Sequence, residues 1–118
     1  MIELYGIANC DTVKKARAWL TEHDIAHQFH DFKKSGVSCD QLQAWAQAVG
    51  WEKLLNRQGT TWRKLAPEQQ AAVLDSASAI ALMQAQPSLI KRPVVAWPDG
   101  LISVGFKAQD WVIWAGRH

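Results

Sequence analysis

Ile2-Glu3-Leu4-Tyr5-Gly6-Ile7-Ala8-Asn9-Cys10-Asp11-Thr12-Val13-Lys14-Lys15-Ala16-Arg17 decides the fold. Its first part, residues 2–7, is a largely apolar run and predicts a strand. Its second part opens a helix over 12–23, with Val13, Ala16 and Leu20 at helical spacing and Asp11 or Thr12 expected to cap the start. Cys10 falls at the junction. The first amides of a helix have no intrahelical acceptor and lie at the positive end of its dipole, where they favour an anion. A cysteine there has its pKa lowered from about 8.5 toward neutrality, and the thiolate is the nucleophilic form. The stretch therefore predicts a strand, a helix and a reactive sulfur between them.

Downstream, His27 to Phe32 reads as a second, partly polar strand, and Lys33-Lys34-Ser35-Gly36 as a turn. Ser38-x-x-Gln41 is a capping-box pattern ahead of Leu42, Trp45, Ala46 and Val49, and Gly50 stops that helix. A short helix over 52–55, a loop through Arg57-Gln58-Gly59-Thr60-Thr61, a helix opened by Pro67 and another over 76–86 follow, the last stopped by Pro87. Val94-Val95-Ala96-Trp97, Asp99-Gly100 and Leu101-Ile102-Ser103-Val104 predict a hairpin, and 108–114 a final helix. The first two strands, joined by a helix, are expected to be parallel, and the hairpin makes the sheet mixed. The expected fold class is α/β: a thioredoxin-like mixed four-stranded sheet with a helical insertion at about 38–86 between the βαβ and ββα units. One domain over residues 1–118 is expected from the length.

Composition narrows the function classes. A net charge of +2, with no basic run interleaved with aromatics, argues against a dedicated nucleic-acid binder. The seven tryptophans read as core and rim packing. No apolar leader segment and no run of about 18 apolar residues is present, so no membrane association and a cytoplasmic location are expected. Cys10 and Cys39 form neither a CxxC pair nor a metal-spaced cluster, and His23, His27 and His30 read as surface residues, so no metal is expected. Cys39 reads as an ordinary partly buried cysteine.

Three blocks together, Gly6 to Arg17, Leu54-Leu55-Asn56-Arg57 and Pro87-Ser88-Leu89-Ile90-Lys91-Arg92-Pro93-Val94-Val95, resemble the arsenate reductase (ArsC)-like family, in its Spx/YffB-like branch. The resemblance covers essentially the whole chain. It implies Cys10 as the catalytic cysteine, with Arg57 and Arg92 as the arginines that hold the anionic part of an oxyanion or thiol adduct. Asn9, Thr12, Lys14 and Pro93 are implied to line the substrate or glutathione site, Pro93 as the cis-proline. Arginine suits this part because its fork donates two parallel hydrogen bonds to a carboxylate or oxyanion. Lys14 is one helical turn beyond Cys10. Arg17 is about 10 Å along the axis at ~1.5 Å per residue, and reads equally as a surface or fold residue.

The implied activity is a glutathione-dependent monothiol reductase, with glutathione as co-substrate, glutathione or glutaredoxin as partner, and a small-molecule thiol or oxyanion as substrate. The alternatives are a non-catalytic regulator of the Spx kind that binds RNA polymerase, and a glutaredoxin-coupled arsenate reductase. Two departures weigh on these. Gly105 falls near the place of a third arginine of the arsenate reductases, with Lys107 close by. Val13 stands where Spx regulators carry the second cysteine of a CxxC pair.

Overall fold

A computed structural model describes residues 1–116. In chain order its elements are β1 (Ile2–Gly6), α1 (Asp11–Glu22), β2 (His27–Asp31), α2 (Phe32–Ser35), α3 (Cys39–Val49), α4 (Trp51–Leu54), α5 (Thr60–Arg63), α6 (Pro67–Ala71), α7 (Ser76–Ala85), a 3-10 turn (Pro87–Leu89), β3 (Val94–Ala96), β4 (Ile102–Val104) and α8 (Ala108–Ala115). The chain forms two compact units: Met1–Ser35 together with the segment from Arg92 onward, and Gly36–Lys91.

The first unit holds the sheet, in the order β2-β1-β3-β4. β1 runs parallel to β2 and antiparallel to β3, and β3 pairs antiparallel with β4. This is the mixed four-stranded, thioredoxin-like α/β arrangement expected from the element order. The alternation in β1 sorts its side chains: Ile2, Leu4 and Gly6 are buried, and Glu3 and Tyr5 only partly so. On the second face Tyr5 stacks on His30 at 4.6 Å, and the His30 Nε2 lies 3.4 Å from a Glu3 oxygen. In α1 the buried residues are Val13, Ala16 and Leu20, the stripe its spacing predicts. Burying a side chain the size of Val13 or Leu20 stabilises by about 1.5–3 kcal/mol, and the single methyl of Ala16 by less.

Trp111 of α8 completes this core. It is fully buried, edge-on to Trp19, Trp97 and Phe106 at centroid distances of 5.7, 5.2 and 4.7 Å. Edge-to-face pairs of this kind add about 0.5–1.5 kcal/mol each beyond area burial. The Trp97 indole N–H donates to Ser103 Oγ at 2.9 Å, which ties β4 to the cluster.

Local corrections to the sequence expectations have physical causes. Phe32 is not the end of a strand, and 33–35 are not an open turn. Asp31 accepts the N–H groups of Lys33 and Lys34 at 3.0 and 3.2 Å, and this cap closes a helical turn over Phe32–Ser35. Part of the expected 57–61 loop is also helical: Gly59 leads into α5, and its carbonyl accepts from the Arg63 backbone at 3.3 Å.

In the second unit, Ser38 caps α3 by accepting the Gln41 N–H at 3.1 Å. Its buried residues include Leu42, Trp45, Leu54, Ile80, Met83 and Ile90. Asp75 caps α7, accepting the Ser78 N–H at 2.9 Å. Asn56 N–H donates to Leu89 O at 2.7 Å and Lys91 N–H to Leu54 O at 2.8 Å, so 54–56 lie along 89–91 as two short extended segments.

Candidate active site

The chain leaves β1 through a tight turn. The Cys10 N–H donates to Ile7 O at 3.2 Å, and Ala8 and Asn9 occupy the exposed corner. Cys10 itself is the N-cap of α1, with φ −110° and ψ 125°, and its carbonyl accepts the Lys14 N–H at 2.9 Å. The expected cap, Asp11 or Thr12, is therefore one or two residues too late. Gly6 lets the helix start approach the strand end: a Cβ there would lie 2.7 Å from Val13 Cγ2.

An N-cap cysteine has its side chain where a capping oxygen would be. The Cys10 thiol makes no conventional cap bond, but the free amides of the first turn face it. The Arg92 guanidinium comes to the same sulfur from the other end of the unit. Partial burial works against charge on Cys10. The Val13 amide, the Arg92 side chain and the Thr12 amide outweigh it, and the pKa lies below that of an ordinary cysteine thiol. Cys10 is only partly buried, so the sulfur is not sealed in the core. A thiol with a lowered pKa that is not sealed in the interior has the combination nucleophilic thiol chemistry requires.

Arg92 enters this site two residues before β3 begins. The Arg92–Pro93 peptide bond is cis. Pro93 is buried, and its carbonyl accepts the Gly105 N–H at 2.9 Å. Thus the first unit gathers Cys10, the Thr12 amide, Arg92 and Pro93. Asn9 and Lys14 lie in the same turn and helix start, with exposed side chains.

Arg57 belongs to the second unit. Its guanidinium lies over the Trp51 ring at 5.4 Å and the Trp62 ring at 5.7 Å, both within cation–π range. Two of the tryptophans read as packing residues thus flank a candidate arginine. Arg17 packs its guanidinium over Phe29 at 4.4 Å, a fold contact. Cys39 is the first residue of α3, where Gln43 Nε2 approaches its sulfur at 3.6 Å. No group of three His, Cys, Asp or Glu side chains among the described residues has a metal-holding arrangement.

One residue near the site escapes sequence reasoning. Asp31 Oδ2 accepts the Ala8 N–H at 3.3 Å across 23 residues of chain, while Oδ1 caps α2. Burial opposes its charge, but the amides of Ala8, Lys34 and Lys33 and the charge of Lys34 prevail and hold its pKa below the usual carboxylate range. The local signal was an aspartate just before a helical turn. Its contact with Ala8 has no local signal.

A thioredoxin-like sheet with a cysteine at the first helix start and an arginine before a cis-proline defines an arsenate-reductase-like class, and the comparisons agree. The ArsC family matches residues 5–113, and the chain belongs to that family. It is similar to a solved YFFB protein, with a TM-score of 0.90, 50% identity and coverage of 97% of this chain and 98% of that one. An uncharacterized protein of Haemophilus influenzae is 41% identical over 111 residues, 94% of this chain and 96% of the relative. The global transcriptional regulator Spx of Listeria innocua is 28% identical over 112 residues, 93% of this chain and 83% of that protein. No helix among the described residues is long and apolar enough to cross a membrane.

Proposed function

We propose that this ArsC-family protein is a glutathione-dependent monothiol reductase. The observation that carries the proposal is the Cys10 sulfur, facing the Val13 and Thr12 amides and the Arg92 guanidinium, with its pKa lowered. The Cys10 thiolate attacks the glutathione sulfur of an oxidised substrate R–S–S–G. The Cys10–S–S–G bond forms, the substrate's S–S bond breaks, and the thiolate R–S⁻ leaves to take a proton from solvent. A second glutathione thiolate then attacks the glutathione sulfur on Cys10, forming oxidised glutathione and releasing Cys10 as the anion. Over the cycle the substrate gains two electrons and two glutathione moieties, one from the substrate and one from solution, end as the disulfide. Glutaredoxin can deliver the second step in place of free glutathione.

Arg92 stabilises Cys10 as attacker and as leaving group, since both are thiolates. Asn9, Thr12, Lys14 and Pro93 are assigned to the glutathione side of this chemistry. Arg57 is assigned to the anionic part of the ligand on its family motif. Cys10 has no cysteine three residues on, so an external thiol must regenerate it.

Two other readings make different demands. The match to Listeria Spx supports a non-catalytic regulator that binds RNA polymerase, a role that does not require a lowered thiol pKa. Arsenate reduction would call for a third arginine near Gly105. Gly105 has φ +79°, a conformation in which an arginine would be strained, so this backbone favours the thiol substrate.

Mass spectrometry after incubation with oxidised glutathione tests the proposal. One adduct of glutathione mass is expected, on Cys10, retained in Cys39→Ser and absent in Cys10→Ser. A folded protein that takes no adduct, yet is retained by RNA polymerase in a pull-down, would overturn it in favour of the regulator.

A further inference from the structure

Asp31 serves two segments with two oxygens. Oδ1 accepts from Lys33 and Lys34 and is thereby fixed at the start of α2. Oδ2 reaches Ala8, two residues before Cys10. The parallel register pairs Gly6 with Asp31, so the carboxylate stands beside the chain just as it leaves β1. Ala8 is the second residue of the Ile7–Cys10 turn, and its N–H is not used by the turn itself. Ala8 is exposed, so water would satisfy that N–H at no cost. What the carboxylate adds is therefore geometry rather than satisfaction of a buried donor. It fastens the corner of the turn to a second strand and a capped helix, whereas the rest of the turn is held by one 3.2 Å backbone bond.

We propose that Asp31 is a positioning residue for Cys10: it holds the Ile7–Cys10 turn through the Ala8 amide and so sets where the sulfur sits against the Thr12 and Val13 amides and Arg92. The proposal rests on Cys10 acting as a thiolate. It carries a sign that separates it from plain electrostatics. A carboxylate near a thiolate disfavours it, so removing only the charge would lower the Cys10 pKa. Losing the geometry weakens the amide and guanidinium contacts and raises it.

Asp31→Ser distinguishes the two, because serine keeps the helix cap while losing the oxygen that reaches Ala8. The full chain with Cys39→Ser is alkylated with iodoacetamide across pH, and Ala8 amide exchange is followed by NMR. The expected result is faster Ala8 exchange and a Cys10 titration midpoint raised by about half a unit or more, with the unfolding midpoint nearly kept. Should Asp31→Ser not fold, Asp31→Asn serves, since its Oδ1 caps α2 and its NH2 group opposes the Ala8 N–H. A midpoint that stays put or falls, in whichever variant folds, overturns the proposal. If wild-type Cys10 itself titrates like a free thiol, the reductase assignment fails. The shift between wild type and variant still decides the role of Asp31.

Discussion

Gly6 and Val13 approach so closely that any side chain on Gly6 would put its Cβ 2.7 Å from Val13 Cγ2. The contact joins the last residue of β1 to the first turn of α1, and Cys10 lies between them. Val13 is β-branched and fully buried, so it cannot swing aside. Gly6→Ala is expected to destabilise by about 1–3 kcal/mol through overpacking. Urea unfolding of Gly6→Ala, Val13→Ala and the double variant checks this. The double variant is expected to be more stable than the two single losses would predict, and additive losses would refute the steric account.

Arg92 acts on the same sulfur by charge. Arg92→Ala is expected to raise the Cys10 pKa and slow its alkylation near neutral pH, because the thiolate loses its guanidinium partner. Arg92→Lys keeps the charge but not the planar fork, so it restores part of the shift. The pH profile of alkylation in a Cys39→Ser background measures both. Unchanged profiles would remove Arg92 from the site.

Acid sensitivity follows from two aspartates. Asp31 and Asp75 both have folded-state pKa values lowered, Asp31 against burial by the amides of Ala8, Lys34 and Lys33, Asp75 chiefly by the Ser78 amide and hydroxyl. A lowered carboxylate pKa contributes stability above the unfolded value of about 3.9, and the contribution is lost as pH falls through the folded value. The stability gap between wild type and Asp75→Ala is therefore expected to be constant near neutrality and to shrink below about pH 4. Thermal melts across that range measure it.

For Cys10 the same linkage works at higher pH. Its folded pKa is lowered, so its contribution is complete above the unfolded value of about 8.5 and falls away as pH drops through the folded value. Wild type is expected to gain stability relative to Cys10→Ser as pH rises through the folded pKa toward the unfolded value. A parallel pH dependence of the two would contradict an ionised sulfur in the folded state.

A fifth test concerns the tryptophan cluster. Ser103→Ala removes the acceptor 2.9 Å from the Trp97 indole nitrogen in a buried setting. The expected loss is about 1 kcal/mol, with Ser103→Thr losing less. Near-ultraviolet circular dichroism and unfolding midpoints report it.

Periodicity along the chain was enough for the strand and helix at the N-terminus, the hairpin at 94–104 and the order that makes the sheet mixed, because each is a pattern of neighbours within a few residues. The start of α1 shows where such patterns stop. Asp11 and Thr12 have the better capping side chains, yet Cys10 is the cap, because the Ile7–Cys10 bond and the Gly6–Val13 contact fix where the helix begins. Asp31 is the same lesson at longer range. Nothing near it in the chain announces Ala8, 23 residues away, and only the parallel pairing of β1 with β2 brings them together. Local propensity names the elements and the reactive residue type. Which donors surround that sulfur depends on strand register and close packing, which are settled between distant segments.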